Sequence, residues 1–126
     1  MQETIETIIL KQIFETYEID ITLILGRTAR DTYEGLGPVL GFKKVYHAPQ
    51  DSKGHKICKY VKKSKIVIGV PDKKNTFGYY IHKALKKYPI PYIHTKGGPS
   101  KTDIVKSLYN KKDRLVEILK KDHGEI

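Results

Sequence analysis

Three short loops hold most of the side chains that could engage an anion. Gly26-Arg27-Thr28 follows the apolar run 21–25, Pro71-Asp72-Lys73-Lys74 follows 66–70, and Thr95-Lys96-Gly97-Gly98-Pro99-Ser100 follows 90–93. Arg27 offers a planar fork that grips a phosphate at two oxygens, and Thr28 stands where the first amides of a following helix point at the same group. Asp72 can hold a ribose hydroxyl or a cation, with Lys73 beside it for phosphate. Gly97 and Gly98 let backbone approach a ligand closely, Ser100 opens the capping sequence Ser100-Lys101-Thr102-Asp103, and Lys96 and Lys101 add positive charge. The expected anion-binding set is Gly26, Arg27, Thr28, Asp72, Lys73, Lys96, Gly97, Gly98 and Ser100.

Each loop also has a structural reading. Gly97-Gly98-Pro99 makes a tight strand-to-helix turn, Asn75 caps a helix after a plain turn, and Arg30 pairs with Glu34 one helical turn on. Neither nucleotide fingerprint is complete: the G-x-G-x-x-G spacing is missing after residues 21–25, and the glycine pair lacks the Walker pattern. His47, His55 and His94 could converge near the expected strand ends with Asp51 or Asp72, but sequence gives neither distance nor shared orientation, and no serine elbow is present. The lone Cys58 reads as a small apolar core residue, and the five histidines lack metal-ligand spacing. The expectation is a binding protein with no catalytic residues, no metal and no cofactor.

Charge narrows the partner. The 126 residues carry 24 Lys and Arg against 14 Asp and Glu, a net +10. Residues 1–42 hold three basic and seven acidic side chains, for −4, and residues 43–126 hold 21 and seven, for +14. A basic body of this kind favours a polyanion, either nucleic acid or an acidic protein, although lysines also serve simply to keep a surface soluble. Two segments concentrate the excess. Lys53, Lys56, Lys59, Lys62 and Lys63 lie opposite Ile57, Tyr60 and Val61 at helical spacing, and Lys83, Lys86 and Lys87 lie opposite Phe77, Tyr80, Ile81, Ala84, Leu85 and Tyr88. Of nine tyrosines, Tyr46, Tyr79 and Tyr92 fall outside clear apolar stripes, where a ring beside lysine can stack a base.

The elements that must position these residues alternate. Residues 2–17 predict an amphipathic helix facing the sheet through Ile5, Ile8, Ile9, Ile13 and Tyr17. Residues 21–25 and 66–70 read as strands covered on both faces, the first of them central, and residues 43–47 and 89–94 as further strands, the last near an edge because of its prolines. Helices are expected from the capping sequence Thr28-Ala29-Arg30-Asp31 to a bend or end near Gly35-Leu36-Gly37-Pro38, over 54–64 and 75–88, and over 100–109 and 112–121. The pattern predicts a single α/β domain over residues 1–126: a three-layer, Rossmann-like or flavodoxin-like fold with about four parallel strands in the order 2-1-3-4. The apolar runs are too short to cross a bilayer and no secretory signal is visible, which predicts no membrane partner and a cytoplasmic location.

Ile24-Leu25-Gly26-Arg27 with Tyr33 and the Gly41 turn, Ser64-Lys65-Ile66-Val67-Ile68, and Tyr79-Tyr80 through Lys87-Tyr88-Pro89-Ile90-Pro91 resemble small Rossmann-like bacterial domains catalogued as a domain of unknown function. The resemblance spans residues 20–108 and implies the fold. A Ser-His pair of that family after its second buried strand is replaced here by Asn75-Thr76-Phe77, so no activity is carried over. The Gly97-Gly98 turn is also similar to the small-residue turn of nucleotide-sensing CRISPR-associated Rossmann domains. Three functions follow as expectations. The first is a non-enzymatic protein holding a DNA or RNA backbone through its lysine-rich helices and strand-end loops. The second is a small nucleotide-binding or nucleotide-processing domain, and the third a phage or mobile-element protein that binds an acidic host protein.

Overall fold

Two β-branched runs set the sheet. In the computed structural model, which describes residues 3–26, 28–48, 54–70 and 79–122, β1 (Ile21–Gly26) and β3 (Ile66–Val70) are buried along nearly their whole length. They pair in parallel, from Thr22 opposite Ile66 to Gly26 opposite Val70. β2 (Lys44–Ala48) joins β1 with Ile21 opposite Lys44, and β4 (Tyr92–His94) joins β3 with Val67 opposite Tyr92. The order is β2-β1-β3-β4, all parallel, with β1 inside the sheet as its composition predicts. Thr22, the polar residue of β1, is fully buried and donates its hydroxyl to the Ile66 carbonyl at 3.2 Å.

Successive strand side chains point to opposite faces, so each strand feeds two cores. Ile24, Ile66, Ile68, Val70 and Ile93 meet α1 (Ile5–Thr16), α2 (Arg30–Leu40), α5 (Lys101–Asn110) and α6 (Lys112–Asp122). Leu23, Leu25, Ala48 and Val67 meet Ile57 and Val61 of α3 (Gly54–Val61) and Ile81 and Ala84 of α4 (Tyr79–Lys87). The result is the three-layer, Rossmann-like arrangement, with α3 and α4 together on one side and four helices on the other. No helix among the described residues is long and apolar enough to cross a membrane.

Four local expectations are corrected. α1 is rotated: Thr7, Leu10 and Phe14 are its buried residues, while Ile5 is 71% and Ile8 43% exposed. Ile13 and Tyr17 of the expected face do pack against the core, partly buried, and Phe14 meets Phe42 with ring centres 4.9 Å apart. Thr7 is tolerated there because it completes a reciprocal cap with Thr4, accepting from the Thr4 amide at 2.9 Å. α2 runs through Pro38 to Leu40; Pro38 sits on the exposed side, and the helix ends instead at Gly41, whose φ of 83° lets the Gly41 and Phe42 amides both turn back to the Gly37 carbonyl. β4 begins at Tyr92, after both prolines, since neither can donate to the ladder; the Pro91 carbonyl still accepts from Val67 N–H at 2.9 Å. Cys58 is only half-buried, at the rim of the α3–α4 core.

At the amino ends of the strands, Lys65 ties β1 to β3. Its backbone N–H donates to the Ile21 carbonyl at 2.9 Å, and its ammonium donates to the Glu18 carbonyl and lies 2.8 Å from the Asp20 carboxylate. The hydrogen bond from Lys65 holds the Asp20 carboxyl below the usual carboxylate range. A carboxyl with a lowered folded-state pKa stabilises above its unfolded pKa, and that contribution disappears as acid protonates the folded form. Asp20→Asn should therefore lower the melting temperature slightly near neutral pH, because the pair is partly solvent-screened. Melts at descending pH should show the gap to the parent closing through the carboxylate range; a gap independent of pH would contradict this role.

Candidate functional site

The carboxyl ends of β1 and β2 meet at Gly26 and His47. The Gly26 carbonyl can only accept, so the 2.9 Å contact from His47 Nε2 places the proton on that nitrogen. The imidazole lies flat on Tyr33 of α2, with ring centres 4.3 Å apart and planes 6° apart. His47 thus ties the sheet edge to α2, and no acid joins it among the described contacts. The expected cap at Thr28 does not form. α2 begins one residue later than the pattern Thr28–Asp31 requires, with Ala29 as its capping residue and no side-chain cap, and Thr28 Oγ1 is buried with no hydrogen-bond partner among the described residues. Arg30 pairs with Glu34 at 2.9 Å on the exposed face of α2. Arg27, Asp51, Asp72 and Lys73 lie outside the described residues.

After β4, the chain closes on itself more tightly. Thr95 is buried, and its amide and hydroxyl both donate to the Gly69 carbonyl, at 2.8 and 3.3 Å. The Lys96 amide donates to Ser107 Oγ on α5 at 2.7 Å. Gly97 takes a φ of 100°, a conformation that favours glycine, with open space where a side chain would project. Ser100 caps α5, its hydroxyl oxygen accepting from the Asp103 amide at 3.1 Å. The return arm differs from a full capping box: the Asp103 carboxylate accepts from the Ser100 hydroxyl at 2.8 Å. That carboxylate also packs on Gly98, where an added Cβ would clash with its Oδ2. Gly97, Gly98 and Ser100 come together as expected, but the anion at this helix start is the protein's own Asp103. Lys101 turns away, its amine lying over Gly35 of α2.

Beside this turn opens a cleft of about 340 Å³ lined by Lys96, Asp103, Lys106, Ser107, Asn110 and Lys111. Lys111 donates its ammonium to the His94 carbonyl, at the end of β4. Burial and the neighbouring charge of Lys96 push the Lys111 ammonium pKa down; burial first, then Lys111 and Lys96, push the His94 imidazole down as well. Of these lining residues, sequence reasoning singled out Lys96. The signal for the others was present in the 103, 106, 107, 110 spacing of α5, which places all four on one face.

The lysine-rich segments come together on the other layer. α3 and α4 pack side by side through Ile57, Val61, Ile81 and Ala84. Lys56, Lys59, Lys62, Lys63, Lys83, Lys86 and Lys87 are exposed, and residues 54–70 and 79–95 contain no Asp or Glu. Lys53 lies outside the described residues. The tyrosines here are engaged: Tyr46 stacks on Tyr60 with ring centres 5.2 Å apart, Lys44 lies over Tyr46, Lys59 over Tyr60 and Lys87 over Tyr88. Tyr92 packs against the same core, and burial pushes its phenol up to about 12.

Comparison with known proteins returns no matching family model, no matching curated protein and no matching solved structure. The Ser100 cap makes a local test of the β4–α5 turn. Ser100→Ala should destabilise the fold by about 1 kcal/mol, the usual cost of losing a serine helix cap, read from denaturant unfolding. An unchanged midpoint would show that the cap and its Asp103 arm contribute nothing.

Proposed function

We propose that the chain binds the phosphate backbone of nucleic acid through the α3–α4 layer. The observation that carries this reading is the run of exposed lysines on two adjacent helices and the turn that follows the first of them, with no acidic residue in either described segment. Lysine ammoniums on long stems reach phosphates as mobile point charges, and each contact releases condensed counterions. α3 spans eight residues, so its exposed edge is about 12 Å long, enough with α4 beside it for roughly four phosphates. Contacts of this type position a duplex or strand and carry no sequence information. The engagement of Tyr46, Tyr60 and Tyr88 with neighbouring rings and ammoniums leaves base stacking a minor part of recognition.

Fluorescence anisotropy on mixed-sequence DNA and RNA tests this. With about four phosphates neutralised, affinity should fall roughly 100-fold between about 50 and about 200 mM salt, with little dependence on sequence. Lys59→Glu, Lys63→Glu and Lys86→Glu should each weaken binding and make the salt slope shallower by about one; Lys120→Glu on α6 should leave the slope unchanged. No binding at low salt, or equal losses from α6 and from α3 and α4, would overturn the proposal.

A further inference from the structure

We propose that the cleft between the end of β4 and α5, walled by Lys96, Lys106, Lys111 and Asn110, binds a phosphomonoester. It lies on the layer opposite the lysine face of α3 and α4, and it stands independently of the nucleic-acid reading. Three ammoniums line this one cleft. Its one acidic lining residue, Asp103, is already committed to the Ser100 hydroxyl and packed against Gly98. Among the described residues, the Lys111 ammonium has only the neutral His94 carbonyl as a hydrogen-bond partner, and Glu6 of α1 feels the charge of Lys106 without forming an ion pair. Among the described residues, no carboxylate forms an ion pair with Lys96, Lys106 or Lys111, and with Asp103 counted the lining keeps a net positive charge.

Such a group of like charges is held together by the fold and relieved by a counter-charge. The lowered pKa values of Lys111 and His94, both partly caused by neighbouring ammoniums, report that positive field. Helix dipoles do not cancel it: the carboxyl end of α5 and the amino end of α6 meet at Lys111, so their opposed partial charges offset each other. A dianion relieves more of the repulsion than a monoanion, which favours a phosphomonoester over a carboxylate or a bridging phosphodiester. The lining residues are all of polar type, without an aromatic or large aliphatic side chain to hold a base. Asn110 can instead donate to and accept from a hydroxylated body, and the volume is at the small end of ligand sites. The Lys96 amide, fixed to Ser107, already holds one wall in place.

The test follows the His94 imidazole by NMR while inorganic phosphate, glycerol phosphate, glycerol or sodium chloride is added. The two phosphates should move the His94 pKa upward and saturate, whereas glycerol and chloride should not. Lys96→Gln with Lys106→Gln should weaken that saturation at least about tenfold while leaving the Lys111 contact to His94 intact, and Lys59→Glu on α3 should leave it unchanged. An oligonucleotide with a terminal phosphate, compared with the same strand lacking it, distinguishes a nucleic-acid end from a free metabolite as the source of the group. A drift that never saturates, an equal response to chloride, or full saturation in the double variant would overturn the proposal.

Discussion

The parallel pairing of β1 with β3 is the constraint on which the remaining structure depends. Both strands are apolar on both faces, so neither can lie at an edge or against water, and each requires a helical layer above and below it. Since β2 and β3 lie on opposite sides of β1, the connections that lead to them turn to opposite faces of the sheet. That places α2 on one face and α3 on the other. All four strand ends then emerge along one edge, where His47, His94 and the turn after β4 are found.

This division also sorts charge. Every Asp and Glu among the described residues belongs to the layer of α1, α2, α5 and α6 or to a loop beside it; the α3–α4 layer has lysine alone. The two layers bury comparable kinds of core, so the asymmetry is not needed for folding. On the mixed layer, Arg30–Glu34, Arg114–Glu117 and Lys121–Glu117 are solvated pairs that offset one another locally. The described segments of the α3–α4 face carry no carboxylate of their own, and the field of their lysines extends outward until screened by salt.

Strand order was legible because length, β-branching and prolines act at the level of whole segments: residues 21–25 and 66–70 admit one environment, and the prolines at 89 and 91 keep β4 short and lateral. Details that turn on a single residue were less legible. In α1, Ile5, Ile8 and Ile9 outnumber Leu10 and Phe14 as apolar signals, yet packing volume around Phe42 decides which side faces the core. Thr28 had the right type for a cap, but helix register moved that position to Ala29. The Ser100–Asp103 pair was read correctly as a cap and incompletely as a site, because spacing does not reveal which oxygen or hydroxyl the carboxylate reaches.

That last distinction changes where positive charge is available. An uncapped helix start with two glycines before it would expose amides to a phosphate; with Asp103 in front of Gly98, the start of α5 already has its anion. Lys96 precedes that glycine pair. Its amide is held by Ser107, one turn before Lys111, and it joins Lys106 and Lys111 across the cleft. A self-capped helix and an unneutralised lysine cluster are therefore two consequences of one local choice. The acid stabilises the first turn of α5 through Ser100, and held there it forms no ion pair with the lysines of the cleft.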